Sequence, residues 1–109
     1  MLLSTDLFFA SRIKGAAEAA GLEISMGKSI ENATLKDDLA FVVVDLATTG
    51  STLDQIADIV RKHSNQTRLV AFGPHVQSGR LDAARQAGFD AVLTRGQLDR
   101  HLGQLFETD

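Results

Sequence analysis

The ten residues from Phe41 to Gly50 constrain the fold of this chain more than any other stretch. Four bulky apolar residues run without alternation, end on Asp45, and are followed by Leu46 and a small polar loop. A run that is apolar on both faces is typical of a strand buried between helices in a parallel α/β sheet. An aspartate at the carboxyl end of such a strand points into the crevice where open α/β sheets bind ligands. The sequence therefore predicts that any chemistry is centred on Asp45.

The remainder of the chain alternates between strand and helix patterns. Strands are predicted at Met1–Ser4, Leu22–Ser25, Ala40–Leu46, Arg68–Phe72 and Ala91–Thr94. Helices are predicted at Asp6–Ala20, Ser29–Asp37, from Ser51 or Thr52 to Lys62, at Ser78–Ala87 and at Gln97–Phe106. Because alternating strands and helices are joined by right-handed crossovers, the sheet is predicted to be parallel. Five such units in 109 residues predict one domain, residues 1–109, with a flavodoxin-like fold. This fold is a three-layer α/β/α sandwich around a five-stranded parallel sheet of order 2-1-3-4-5.

Composition and charge exclude several classes of function. The formal net charge is −3, and the 11 lysines and arginines are spread along the chain without a basic cluster, which argues against nucleic acid as a partner. Cysteine is absent, which excludes disulfides, thiolate metal sites and a cysteine nucleophile. The longest apolar run is too short to cross a bilayer, and the N-terminus shows no signal-peptide pattern. A cytoplasmic protein with no membrane partner is therefore expected.

Two acidic residues are predicted to meet at one crevice. Asp6 follows the first predicted strand and Asp45 ends the third, and these two strands are neighbours in the predicted order. Each residue also has a purely structural interpretation. Asp6 is well placed to cap the first helix, and Asp45 can cap the loop that follows it through the amides near Thr48 and Thr49.

With Asp45, the Thr5-Asp6 pair and Arg95-Gly96 at the ends of three predicted strands, the chain resembles a known family over essentially its full length. It is similar to the receiver domain of bacterial two-component response regulators, the CheY-like domains. The resemblance implies a phosphorelay component in which Asp45 accepts a phosphoryl group. It also implies that Asp6 and Asp45 bind Mg²⁺.

The chain departs from the pattern of this family at three positions. Thr5 stands where the family carries a second acid, and Arg95 stands where it carries a Lys. Gly73, or Phe72 one position earlier, stands where the family carries a Thr or Ser. The resemblance implies that Arg95 and Gly73 occupy the two phosphate-contacting positions. One lost carboxylate should weaken the Mg²⁺ site, since Mg²⁺ affinity depends on ligand charge. Without the hydroxyl at position 73, phosphate loses a contact that could shift a two-state equilibrium. An atypical or pseudo-receiver with weakened phosphorylation is therefore expected.

The substitution by Arg95 has two interpretations. Its guanidinium can grip a phosphate, although its planar fork differs from a compact ammonium group. Alternatively, Arg95 forms an ion pair with Asp45 or Asp6 and substitutes for the metal, which would make the site constitutively neutral.

The favoured function is a stand-alone signalling module that is not an enzyme, since no catalytic triad, metal spacing or paired general acid and base is evident. Its expected partners are another protein or a histidine kinase, or a second copy of the chain through about Ser78–Phe106. One alternative is a small-ligand or nucleotide-binding flavodoxin-like domain, with phosphate bound by the loops Ala47–Thr52 and Gly73–Gln77. Another is an anti-sigma-antagonist-like domain, in which Ser51 would be the modified residue.

Overall fold

The computed structural model describes residues 1–27, 40–47 and 52–106. Its strands are β1 (Leu2–Leu3), β2 (Met26–Gly27), β3 (Phe41–Asp45), β4 (Arg68–Gly73) and β5 (Ala91–Thr94). Its helices are α1 (Leu7–Ala19), α2 (Leu53–His63), α3 (Ser78–Gln86), α4 (Arg95–Arg100) and α5 (Leu102–Leu105). The helix predicted at residues 29–37 lies outside the described residues, as does Ser51.

The five strands form one parallel sheet in the order β2-β1-β3-β4-β5. This confirms the predicted fold class and strand order. The register aligns Leu3 of β1 with Val44 of β3, and Asp45 with Phe72 of β4. The residue that follows β1 and the residue that ends β3 are therefore close together at the carboxyl edge of the sheet.

Strand β3 lies at the centre of the fold, and all five of its residues are buried. Its side chains alternate between two apolar clusters, as the period of two along a strand requires. One cluster contains Val42, Val44 and the buried faces of α2 and α3. The other contains Phe41, Val43, Phe106 and the buried faces of α1 and α4, and Leu102 and Leu105 of α5 pack against it. The sheet is thus covered on both sides, which explains why β3 reads as a continuous apolar run.

The predicted bounds differ most from the structure at two elements. The second strand is found at Met26–Gly27 rather than Leu22–Ser25, and Leu22 and Ile24 pack against the α1 side of the core instead. The last predicted helix begins earlier, at Arg95, and is divided at His101, whose φ of −118° is not helical. The early start has a local cause. Thr94 caps α4 by accepting from the Gln97 N–H, and the Gln97 side chain accepts from the Thr94 N–H.

Candidate functional site

Asp45 is completely buried at the carboxyl end of β3. The Ser4 hydroxyl donates to its Oδ2 at 2.8 Å, and the Ala47 N–H donates to its Oδ1 at 3.0 Å. Both carboxylate oxygens therefore carry a hydrogen bond, as a buried ionisable group requires. The bond from Ala47 fulfils the loop-capping role that was one interpretation of Asp45, while Thr48 and Thr49 lie outside the described residues.

Asp6 is the N-cap of α1. Its Oδ1 accepts from the N–H groups of Phe8 at 3.1 Å and Phe9 at 3.3 Å. The Asp6 N–H in turn donates to the Ser4 hydroxyl oxygen at 3.0 Å. The Ser4 hydroxyl thus accepts a hydrogen bond from the Asp6 backbone and donates one to the Asp45 side chain. These two bonds fix Asp6 and Asp45 relative to each other.

Arg95 points into this site from the first turn of α4. Its NH2 group lies 3.3 Å from Asp6 Oδ2 and 4.0 Å from Asp45 Oδ2. The guanidinium carbon also lies 4.9 Å from the centre of the Phe9 ring, within the range of a cation–π interaction. Phe9 packs in turn on Phe72, with ring centres 5.6 Å apart. We call the group formed by Ser4, Asp6, Asp45 and Arg95 the Asp45 site.

One atom of Arg95 is poorly satisfied. Its Nε is buried and has no hydrogen-bond partner within the part of the chain that the structure describes. An unpaired buried donor costs roughly 1–3 kcal/mol. The described contacts that hold Arg95 in position are therefore those of its NH2 group with the acids and of its guanidinium with the Phe9 ring.

Gly73 ends β4, where it pairs with Thr94 of β5. A Cβ atom added at this position would lie 3.2 Å from the Cβ of Leu46, the residue after Asp45. That separation is shorter than an ordinary van der Waals contact, so a Ser or Thr here would have to displace Leu46. The glycine itself offers no side chain to a phosphate, and its predicted role as a phosphate contact stays a prediction.

The structure brings together three of the predicted site residues, Asp6, Asp45 and Arg95. Sequence reasoning missed Ser4, which connects the two acids. A hydroxyl residue at the end of a short apolar strand, two positions before an acid, is the signal that could have identified it. The structure also places Phe9, which packs against the α1 side of the core, in contact with Arg95.

The arrangement does not fit a bound Mg²⁺ ion while Arg95 holds its position. All four carboxylate oxygens of Asp6 and Asp45 already accept a hydrogen bond, one of them from Arg95. Mg²⁺ binds oxygen ligands at about 2.0–2.1 Å, and an ion bound to Oδ2 of both acids would come against Arg95 NH2, which lies 3.3 Å and 4.0 Å from the same two atoms. No group of three or more metal-ligating side chains occurs within residues 1–27, 40–47 and 52–106.

A second arginine–carboxylate cluster lies at the amino ends of β4 and β5. Asp90 Oδ2 accepts from the Leu69 N–H at 2.8 Å and from Arg61 NH2 at 2.7 Å. Arg61 NH1 donates to the Thr67 carbonyl at 2.8 Å. We call these four residues the β4–β5 clip. Partial burial raises the pKa of Asp90, but the Leu69 N–H and Arg61 lower it more, and the pKa lies below its usual value.

A cavity of about 470 Å³ opens at the amino ends of the strands. It is lined by the end of α1, the start of β3 and Phe106, and it includes none of the residues of the Asp45 site. Within the described part of the chain, no helix is long and apolar enough to span a membrane.

No protein-family model and no curated protein matches this chain. Among solved structures, it is similar to a response regulator from Thermotoga maritima, with a TM-score of 0.69 and 17% sequence identity. The match covers 96% of this chain and 91% of the other. At this level of identity the likeness concerns the fold. The chain therefore has the receiver-like, flavodoxin-like fold of a response regulator.

Proposed function

We propose that this chain is an atypical receiver-like signalling module that acts through protein–protein contacts rather than as an enzyme. In this proposal, phosphorylation at Asp45 is weakened and is not the main source of the signal. The observation that carries the proposal is the position of Arg95, 3.3 Å from Asp6 and 4.0 Å from Asp45 at the carboxyl edge of a receiver-like sheet.

The chemistry of phosphoryl transfer supports weakened phosphorylation. Transfer to a carboxylate depends on positioning and on cations that neutralise the incoming charge. At the Asp45 site, the available cation is already engaged by the two carboxylates, and Asp45 is fully buried with both oxygens hydrogen-bonded. A phosphodonor would have to expose Asp45 and break these contacts first. Gly73 also removes the hydroxyl through which a phosphate could favour a second conformation.

We propose the surface of about Ser78–Phe106 as the contact surface for a protein partner, a histidine kinase or a second copy of the chain. Strand β5 forms one edge of the sheet there, and its four residues are only half-buried. Of the charged residues on this surface, Arg85 and Asp99 already pair within the chain, with Asp82 and Arg12. Arg80 and Arg100 are exposed and have no ion pair to a described residue. These two arginines would recognise acidic groups on the partner.

Intact mass spectrometry after incubation with acetyl phosphate and Mg²⁺ tests the proposed loss of phosphorylation. We expect the wild type to gain little or no acid-labile phosphoryl group, and the Asp45→Asn variant, which keeps the size of the side chain, to gain none. Rapid, stoichiometric phosphorylation of the wild type that is absent from Asp45→Asn would contradict the proposal.

Sedimentation velocity tests the proposed contact surface for the case of a homodimer. We expect Arg100→Glu to weaken association of the chain, while Lys62→Glu, an equal charge reversal on α2, should leave it unchanged. Equal effects of the two variants would indicate a general charge effect and would contradict a role for this surface in self-association.

A further inference from the structure

We propose that Arg95 is the resident cation of the Asp45 site and takes the place of a divalent metal ion. The inference rests on the geometry of the site and not on the proposed signalling function. It states that Arg95 offsets part of the negative charge of Asp6 and Asp45, so that Mg²⁺ does not bind there at physiological concentrations.

The positions of the charges support this inference. Asp6 and Asp45 approach each other at one edge of the sheet, and Asp45 is removed from water completely. Two carboxylates close to each other repel, and a nearby cation offsets that repulsion. Arg95 NH2 is the cationic group that reaches both of them, at 3.3 Å and 4.0 Å. No other ion pair to either acid occurs among the described residues.

The packing of Arg95 shows that its position is built into the fold. The Thr94–Gln97 capping box fixes the start of α4 and therefore the backbone of Arg95. Phe9 lies under the guanidinium on one side, and Phe72 of β4 supports Phe9 from beneath. The side chain keeps this position although its Nε is left without a described partner.

The charge balance explains why a metal ion would be excluded. The two carboxylates and one guanidinium carry a net charge of −1 at neutral pH. Replacing Arg95 with an uncharged side chain would leave two carboxylates and a charge of −2, which matches a divalent ion. Mg²⁺ and Mn²⁺ bind through one or two carboxylates with water completing the shell. In the wild-type site, Arg95 halves this charge and lies beside the Oδ2 atoms of both acids, where such an ion would bind.

Arg12 provides a matched control within the same chain. It pairs with Asp99, and its guanidinium carbon lies 6.0 Å from the centre of the Phe8 ring. Arg12 is therefore surrounded by the same types of residue as Arg95, a carboxylate and a phenylalanine ring. Both members of this pair are exposed, and a single carboxylate is involved. Loss of Arg12 therefore removes an arginine without opening a site for a divalent ion.

Titration with Mn²⁺, followed by paramagnetic broadening of backbone amide signals in NMR spectra, tests the inference. We expect no selective broadening of the Ser4, Asp6 and Ala47 amides in the wild type or in Arg12→Met. In Arg95→Met, the same amides should broaden selectively, with an apparent Mn²⁺ affinity increased about tenfold or more by removal of the competing cation. Mg²⁺ should compete with Mn²⁺ for this new site.

Two outcomes would overturn the inference. One is selective broadening of these amides in the wild type at Mn²⁺ concentrations similar to those that affect Arg95→Met. The other is a folded Arg95→Met or Arg95→Gln variant that gains no Mn²⁺ binding. The wild-type titration remains a test of the inference even where a variant does not fold. Because the Mn²⁺ titration measures metal binding, its outcome is independent of the tests of phosphorylation and self-association.

Discussion

Two arginine–carboxylate clusters lie at opposite ends of the strands of the same sheet, and their contacts differ. In the β4–β5 clip, Arg61 and Asp90 are joined at 2.7 Å, and each also bonds to a backbone group of the polar segment Thr67–Leu69. In the Asp45 site, Arg95 approaches its acids at 3.3 Å and 4.0 Å and leaves its Nε unpaired. The clip is partly exposed, whereas Asp45 is fully buried.

The two clusters differ in how completely their polar groups are paired. The clip satisfies its groups with short bonds and connects α2 to the start of β4 and β5, as an element that serves stability would. The Asp45 site keeps longer contacts, a buried charge and an unpaired donor at the edge of the sheet where α/β proteins bind ligands. This contrast is in line with the role proposed above for the Asp45 site.

The largest effect on stability is expected from breaking the clip. Asp90→Ala removes the acceptor of the Leu69 N–H and the partner of Arg61, and should lower the free energy of unfolding by about 1–2 kcal/mol, given the partial exposure of the pair. Asp82→Ala breaks the exposed pair with Arg85 and should cost less than about 0.5 kcal/mol. Urea denaturation of both variants measures the difference. Equal losses would show that the clip stabilises no more than a surface pair.

A smaller effect is expected from Gly73→Ala, at the end of β4 beside the Asp45 site. The new Cβ meets the Leu46 Cβ at 3.2 Å, so the variant should lose about 1 kcal/mol of stability as Leu46 is displaced. Gly15→Ala is the matched control, because a Cβ there meets nothing within 4 Å and the residue lies inside α1. It should gain up to about 1 kcal/mol from its higher helix propensity. Thermal denaturation of the two variants compares them, and a stabilised Gly73→Ala would show that Leu46 adjusts freely.

The smallest expected effect is the pH dependence of the clip. The pKa of Asp90 is lowered in the folded state from its ordinary value of 3.8, so ionised Asp90 stabilises the fold. This contribution is complete above the ordinary pKa and is lost as the pH falls through the lower, folded-state pKa. The stability difference between the wild type and Asp90→Asn should therefore shrink between about pH 5 and pH 3. Urea denaturation across this range tests it, and a difference that grows on acidification would contradict the assignment.

The fold was largely predictable because its strongest signals are local. The apolar run of β3 needs only its own residues to indicate a buried parallel strand, and Asp6 marks the start of α1 by its capping chemistry. Strand β2 was misplaced because two residues carry no readable period. The division of the last helix at His101 leaves no signal in the sequence, since Leu98, Leu102 and Leu105 keep helical spacing across it.

The two acidic residues of the site were predictable from the sequence, whereas the contacts that connect them were harder to predict. The strand order alone brings Asp6 and Asp45 to one edge. The bond from Ser4 to Asp45 depends on the register of β1 against β3, which is a long-range property. The direction of Arg95 depends on Phe9 and Phe72, which come from two other elements. The sequence left open whether Arg95 would face a phosphate or the acids, and the packing places it on the acids.

The most direct test of the resident-cation proposal is a crystal structure of the wild-type protein grown with excess Mn²⁺ and measured for anomalous scattering. The guanidinium of Arg95 should lie beside Asp6 and Asp45, with no manganese peak between the two carboxylates. A manganese peak bound by both carboxylates, with Arg95 turned away, would contradict the claim that the arginine replaces the metal.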